Sequence, residues 1–307
     1  MAEKTGSGQQ SIYAGENPAP GTKFCISRFG CKGLPKKADV QALFADHSRF
    51  VMENYDEAAS RHGEKYECER WRKNVPGRRD YEQTRKSLLY HINNRQFENV
   101  LEIGCGVGTW TVLFRNYCKN MTLVDISKEM LQTTISRLRR LNFHDVCGVL
   151  CDFQASALNS KEKYDAIFSI RAIEYMVDKT SVLSNMYRLL DDNGFVLIVT
   201  KNPHRGLIPF LSLITQKTFR QARLFAHRIH YKNLAKLARK AGFTSVEVYP
   251  TIVSHPIASY DTVRPLFIEK NEALLSNAIF DSIYKKRLNP FYLPLGLIES
   301  YCLIARK

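Results

Sequence analysis

From Asp39 onward, Val40, Leu43, Phe44, Phe50, Val51 and Tyr55 recur at three- and four-residue steps. This is the period of a helix with one apolar face. The same reasoning predicts a second helix from Asp80 to about Asn93, so residues 39–97 read as an N-terminal helical cap. Residues 1–38 show no sustained period and are punctuated by Gly21, Gly30, Gly33 and Pro35, which predicts a loose leader. At Glu98 the texture changes. NVLEIG, MTLVD, DVCGVLCD, YDAIFSI and FVLIVTK are short apolar runs of strand type. They alternate with helical stretches at about Thr109–Tyr117, Ser127–Arg140 and Asp178–Leu190. Ser127 is placed as an N-cap, and Asp191-Asp192-Asn193-Gly194 reads as a C-cap and turn.

Strands separated by helices of this size imply a parallel sheet with right-handed crossovers, the α/β class. The core of that sheet spans 98–203. A basic helical substrate cap over 204–243 follows it. Residues 244–307 supply two more strands, TSVEVYP and IESYCLIAR, with a helical insertion at 251–297 between them. There is no internal repeat.

Charge sharpens this picture. The 307-residue chain carries a net +15, and residues 204–307 hold 16 Lys/Arg against 6 Asp/Glu. His204 to Val246 contains nine Lys/Arg and no acid. No apolar run reaches the length that spans a bilayer. The first 25 residues lack an apolar signal core. The eight cysteines fall in no zinc-type spacing, so they read as free thiols in a reducing, cytoplasmic setting, with no metal expected.

In an open parallel sheet, ligands bind outside the carboxyl ends of the strands, where strand order reverses. The first strand ends in Glu102-Ile103-Gly104-Cys105-Gly106-Val107-Gly108, where glycines let the backbone turn and approach a ligand without a Cβ in the way. The second ends in Asp125, a carboxylate able to accept both hydroxyls of a ribose, and the third in Asp152-Phe153, an acid and a ring suited to adenine. The spacing is G-x-G-x-G, not the dinucleotide G-x-G-x-x-G. Glu102 beside it would repel a pyrophosphate and would welcome a cationic ammonium or sulfonium. A ligandless turn explains the glycines alone, and a helix cap explains Asp125 alone; the ordered set favours S-adenosylmethionine.

VLEIGCGVGTW, LVDIS, CDF, YDAIFSIRAIEYM and LLDDNGFVLIVTK resemble the successive motifs of class I S-adenosylmethionine-dependent methyltransferases of the small-molecule and lipid type, over about residues 80–250. The resemblance implies a Rossmann-like seven-stranded sheet whose last strand, Ile298–Arg306, is antiparallel. It also implies that Gly104, Cys105, Gly106 and Gly108 line the methionine and ribose side, and that Asp125 holds the ribose hydroxyls. Ile126 and Met130 would lie beside the adenine, Asp152 and Phe153 would contact it, and Ser169-Ile170-Arg171 would lie under the sulfonium. Where many small-molecule members have Glu-His after the fourth strand, this chain has Glu174-Tyr175.

The expected activity is methyl transfer to a small-molecule or lipid-like acceptor, with O-methylation favoured by its frequency in the family. His204, His230 and Tyr175 stand as candidate catalytic groups, His227 lies in the same segment, and Tyr81 is a candidate to close over the cofactor. The basic stretch reads either as a substrate-cap helix with a solvated face or as an interfacial element serving an anionic, membrane-peripheral acceptor. Nucleic acid is the less favoured partner, since no RNA-binding module is recognisable. An RNA or protein methyltransferase and an inactive adenosyl-binding scaffold are the competing readings.

Overall fold

The structure is a computed structural model that describes residues 38–155, 158, 162–203, 223–224, 226–254, 266–286 and 297–307; of residues 38–44 and 266–272 only the backbone is described. Its centre is a seven-stranded sheet of order β3-β2-β1-β4-β5-β7-β6. The strands are β1 (Phe97–Ile103), β2 (Cys118–Asp125), β3 (Val146–Leu150), β4 (Tyr164–Ile170), β5 (Leu190–Lys201), β6 (Ser245–Val253) and β7 (Ile298–Arg306). β1 pairs in parallel with β2 and β4, and β7 runs antiparallel to both β5 and β6. All seven predicted strands are present, and the antiparallel last strand is observed.

The helices described are α1 (Ala38–His62), α2 (Lys65–Glu67), α3 (Val75–Ile92), α4 (Thr111–Phe114), α5 (Lys128–Arg140), α6 (Lys179–Leu189), α7 (Tyr231–Lys240) and α8 (Leu266–Tyr284). Side chains alternate across each strand, so successive residues serve opposite faces. Val100 joins the core shared with Leu88, Phe114 and Ile135 of α3, α4 and α5. Leu101 and Ile103 join the opposite core with Val182 and Met186 of α6 and Leu234 of α7. Helices on both faces are what a parallel sheet needs to bury both its sides.

Local chemistry sets several boundaries. Ser127 Oγ accepts the Met130 amide at 3.1 Å, as the predicted N-cap requires. α3 begins at Val75, five residues before the expected Asp80, because Asn74 caps it by accepting the Gly77 amide at 2.8 Å and Pro76 suits the first turn. The predicted Thr109–Tyr117 helix is a single α turn followed by a 3-10 turn, Arg115–Tyr117. Asp191–Gly194 does not end a helix in a separate turn. Those residues lie within β5 and bulge outward, with Leu190 paired to Tyr164 and Phe195 paired to Ala166. Gly194 is needed there because a Cβ would come within 2.9 Å of the Tyr164 and Asp165 carbonyl oxygens.

The leader and most of the basic stretch, including His204 and Arg220, lie outside the described residues. Among those that are described, no helix is long and apolar enough to cross a membrane.

Candidate active site

Strand order reverses between β2 and β4 on either side of β1, and the carboxyl ends there open into a cavity. It encloses about 1000 Å³ of non-protein space, its mouth included. Gly104, Cys105, Gly106, Asp125, Ile126, Met130, Asp152, Phe153, Ile170 and Arg171 all line it.

The three glycines hold left-handed φ values of 75°, 56° and 81° for different reasons. A Cβ on Gly104 would sit 2.2 Å from the Ala172 Cβ, and one on Gly108 would press on Thr134 at 3.0 Å. Both are glycines because the turn is packed against its neighbours. A Cβ on Gly106 would meet nothing within 4 Å. Gly106 therefore has open space where the turn faces the cavity.

Asp125 ties the turn to β2. Its Oδ2 accepts the Gly106 amide and its Oδ1 accepts the Ser127 amide, each at 2.9 Å. Burial raises its pKa above the usual carboxylate range while these amides pull it back down. The Cys105 thiol lies 3.8 Å from the same carboxylate, and burial pushes its pKa well up. It stays protonated, as expected of a turn residue and not a nucleophile. Asp152 Oδ2 accepts the Ser48 hydroxyl of α1 at 2.5 Å, and its Oδ1 accepts the Gln154 amide at 3.2 Å.

Three sequence-derived cofactor-site candidates are not brought to the cavity wall: Gly108, which the turn packs against Thr134, together with Glu102 and Ser169. Glu102 is buried behind the turn, with Oε2 unpartnered among the described residues, and burial lifts its pKa to about 8. Ser169 is fully buried and likewise absent from the wall. Arg171, at φ 64°, lines the cavity but spends its guanidinium on Glu174, donating from Nε and Nη2 to Oε1 at 3.1 and 3.0 Å. Glu174 also accepts the Lys201 amide at 3.0 Å. Burial would raise its pKa, but the Arg171 and Arg228 charges outweigh that and hold it at about 2.

Tyr175 lines the cavity with its ring edge-on to Tyr55 at 5.4 Å. Burial, and next the Glu174 charge, push its pKa up to about 12, so it is a neutral phenol at physiological pH. His230 is instead the N-cap of α7, accepting the Lys232 amide at 3.3 Å, and does not reach the cavity. His227 packs on His47 with ring centroids 4.5 Å apart. Tyr81 stacks on Trp110 at 5.2 Å and is a packing residue, not part of the wall.

The cap supplies lining residues that sequence reasoning missed: Ser48, Val51, Tyr55, Tyr66, Arg70 and Trp71. Tyr66 and Arg70 are four residues apart, a helical spacing that puts two side chains on one face. Nothing in the sequence says which face meets the sheet.

A methyltransferase domain model matches residues 61–248, more than half of the chain. The chain belongs to this methyltransferase domain family. Among curated relatives, the malonyl-[acyl-carrier protein] O-methyltransferase of Salmonella typhimurium is 30% identical over 114 residues, covering 37% of this chain and 43% of that protein. Phosphoethanolamine N-methyltransferase 1 of Zea mays is 24% identical over 144 residues, covering 45% and 28%. This methyltransferase-family chain thus spans less than half the length of these relatives. Two solved structures share its fold. Phosphoethanolamine N-methyltransferase 2 of Haemonchus contortus, in complex with phosphomonomethylethanolamine and S-adenosylhomocysteine, has a TM-score of 0.51 at 21% identity, over 74% of this chain and 53% of that one. The N-methyltransferase NodS of Bradyrhizobium japonicum, with S-adenosylhomocysteine, has a TM-score of 0.52 at 15% identity, over 83% and 98%.

Proposed function

We propose that this chain transfers a methyl group from S-adenosylmethionine to a small-molecule or lipid-like acceptor, with O-methylation as the favoured chemistry. One observation carries the reading: a single cavity joins the open Gly106 turn, the Asp125 carboxylate and the Asp152-Phe153 pair at the switch point of a family fold. The donor set fits an adenosyl group. Asp125 is oriented by two amides and faces the cavity, so it can accept ribose hydroxyls. Asp152 can accept an adenine amine while Phe153, Ile126 and Met130 provide apolar walls. The bound cofactor supplies a methyl group already activated on a sulfonium.

The protein's part is to orient and to exclude water. Gly104 and Ala172 pack the β1 and β4 turns together, which fixes the floor. Tyr55 and Tyr175, both kept protonated by burial, offer hydroxyls as hydrogen-bond donors or acceptors near the β4 turn. Neither is a base at neutral pH. An acceptor that brings its own lone pair or negative charge suits such a wall better than one whose hydroxyl must first lose a proton.

The test is titration calorimetry of the full chain with S-adenosylhomocysteine and with NAD, repeated on Asp125→Ala. The expected result is binding of the first only, weakened in the variant by about 2–4 kcal/mol through loss of charge-assisted hydrogen bonds. Saturable NAD binding with no adenosyl signal would overturn the reading.

A further inference from the structure

The cavity wall carries two cations, Arg70 and Arg171, and two carboxylates, Asp125 and Asp152. Three of these four are satisfied inside the protein. Arg171 is paired with Glu174 in the buried ion pair described above. Asp125 accepts two backbone amides, and Asp152 accepts Ser48 and Gln154. Arg70 differs. It is solvent-accessible within the cavity lining, and among the described residues it makes no ion pair or hydrogen bond. Its guanidinium lies over the Trp71 ring at 5.4 Å.

The surroundings of Arg70 are phenolic. Tyr175, Tyr66 and Tyr55 line the same cavity as Arg70, and the Glu174 carboxylate is already taken by Arg171. Tyr55 and Tyr175 stay neutral because burial disfavours phenolate, helped at Tyr55 by neighbouring Tyr175 and at Tyr175 by the Glu174 charge. They can donate O–H groups but cannot cancel the guanidinium. A planar fork of N–H donors, ringed by neutral hydroxyls and lacking a counter-charge, is the arrangement that receives a carboxylate in two parallel hydrogen bonds.

Position separates this anion from the adenine end of the site. The adenosyl-compatible groups, Asp125 with Asp152 and Phe153, follow β2 and β3, whereas Tyr175 follows β4 on the other side of β1. Resting on the methyltransferase reading above, we infer that Arg70 receives a carboxylate of the methyl acceptor, so the acceptor is an organic acid anchored beside Tyr175. Tyr66 and Tyr55 then complete the anion's hydrogen bonds, and the apolar Trp71 and Val51 flank its carbon chain.

The experiment uses the full chain saturated with S-adenosylhomocysteine. It is titrated with butyrate, hexanoate and octanoate, each against its own methyl ester, and the series is repeated on Arg70→Gln and Arg70→Lys. Native protein should bind an acid more tightly than its ester. Arg70→Gln should lose roughly ten- to a hundredfold of acid affinity, with Arg70→Lys in between, and the ester should not respond. Affinity for S-adenosylhomocysteine should stay within about twofold. If no acid binds better than its ester, or if Arg70→Gln leaves the acids unchanged, the inference falls.

A second arm compares S-adenosylmethionine with its decarboxylated form. If Arg70→Gln weakens the first and not the second, the guanidinium belongs to the cofactor's own carboxylate and the inference is overturned. Equal weakening of both makes Arg70 structural and overturns it as well. Failure of the native chain to bind any adenosyl compound is a separate result, which removes the methyltransferase reading itself.

Discussion

Ser48, on α1, donates its hydroxyl to Asp152 Oδ2 at 2.5 Å, joining the cap to the acid that follows β3. Gln154 holds both: its Nε2 donates to Ser48 Oγ at 2.8 Å, and its Oε1 accepts the Val177 and Asp178 amides at 2.6 and 3.0 Å. One residue earlier, His47 Nε2 lies 3.0 Å from the Tyr175 carbonyl oxygen. Further along α1, Asp56 accepts the Ser127 hydroxyl at 2.5 Å. α1 is thus fastened across the mouth of the site by polar contacts at both ends of the cavity.

Removing the Ser48 hydroxyl should loosen that fastening and free one Asp152 oxygen. Ser48→Ala is expected to lower stability by about 1 kcal/mol, the ordinary net value of such a bond. It should also speed S-adenosylhomocysteine association. Stopped-flow binding and chemical denaturation on the same variant check both effects; an unchanged association rate in a destabilised variant would leave Ser48 a purely structural contact.

The turn glycines separate packing from access. Gly104→Ala must push against the Ala172 Cβ at 2.2 Å and adopt a left-handed φ, so roughly 2–5 kcal/mol of stability should be lost. Gly106→Ala carries only the conformational part, about 1–2 kcal/mol, because its Cβ meets open space. Its methyl group should instead impair adenosyl binding. Denaturation curves and calorimetry on the two variants should therefore rank them in opposite orders.

Glu102 gives a pH signature. Its pKa rises from the usual 4.5 to about 8 on folding because burial penalises the carboxylate. The native state then holds a proton that the unfolded chain releases between these values. The stabilisation is fully present below about pH 4.5 and is lost as pH rises through 8. Glu102→Gln cannot release that proton, so its melting temperature relative to the native protein should climb steadily from pH 5 to pH 8.5. Thermal unfolding across that range checks it; a pH-independent difference would mean that Glu102 does not titrate in this way.

The basic stretch gives a fourth prediction, on the three lysines of its helix α7. Arg223 pairs with Asp46 and lies 4.4 Å over the Phe50 ring, and Arg228 packs toward Glu174, so reversing either would damage the cap. Lys232, Lys236 and Lys240 are exposed on α7, whose Leu234, Ala235 and Ala238 face the core. Reversing the three lysines to Glu should abolish adsorption to anionic vesicles, since each is worth about 1 kcal/mol near such a surface. S-Adenosylhomocysteine affinity should not change. Sedimentation with vesicles, beside a gel shift with bulk RNA at one ionic strength, reads the outcome. Absence of vesicle binding by the native chain would make α7 a cap helix with a solvated basic face.

The sequence by itself determined the sheet and the glycine turn. Strand runs such as Ala166–Phe168 and Val196–Val199 carry their own signal, because a strand buried on both faces must be continuously apolar. G-x-G-x-G is equally local, since left-handed φ values demand glycine wherever the fold places them. Tertiary structure decided what contact across the chain decides. Asp191–Gly194 reads as a turn until pairing of Leu190 and Phe195 with β4 draws it into β5. Glu102 reads as a cavity acid until the packing of the turn buries it. Tyr55, Tyr66 and Arg70 carry no motif, and they become part of the site only because the cap folds back over the strand ends. Helical periodicity specifies that a helix has an apolar face, but the surface opposite that face is a property of the assembled fold.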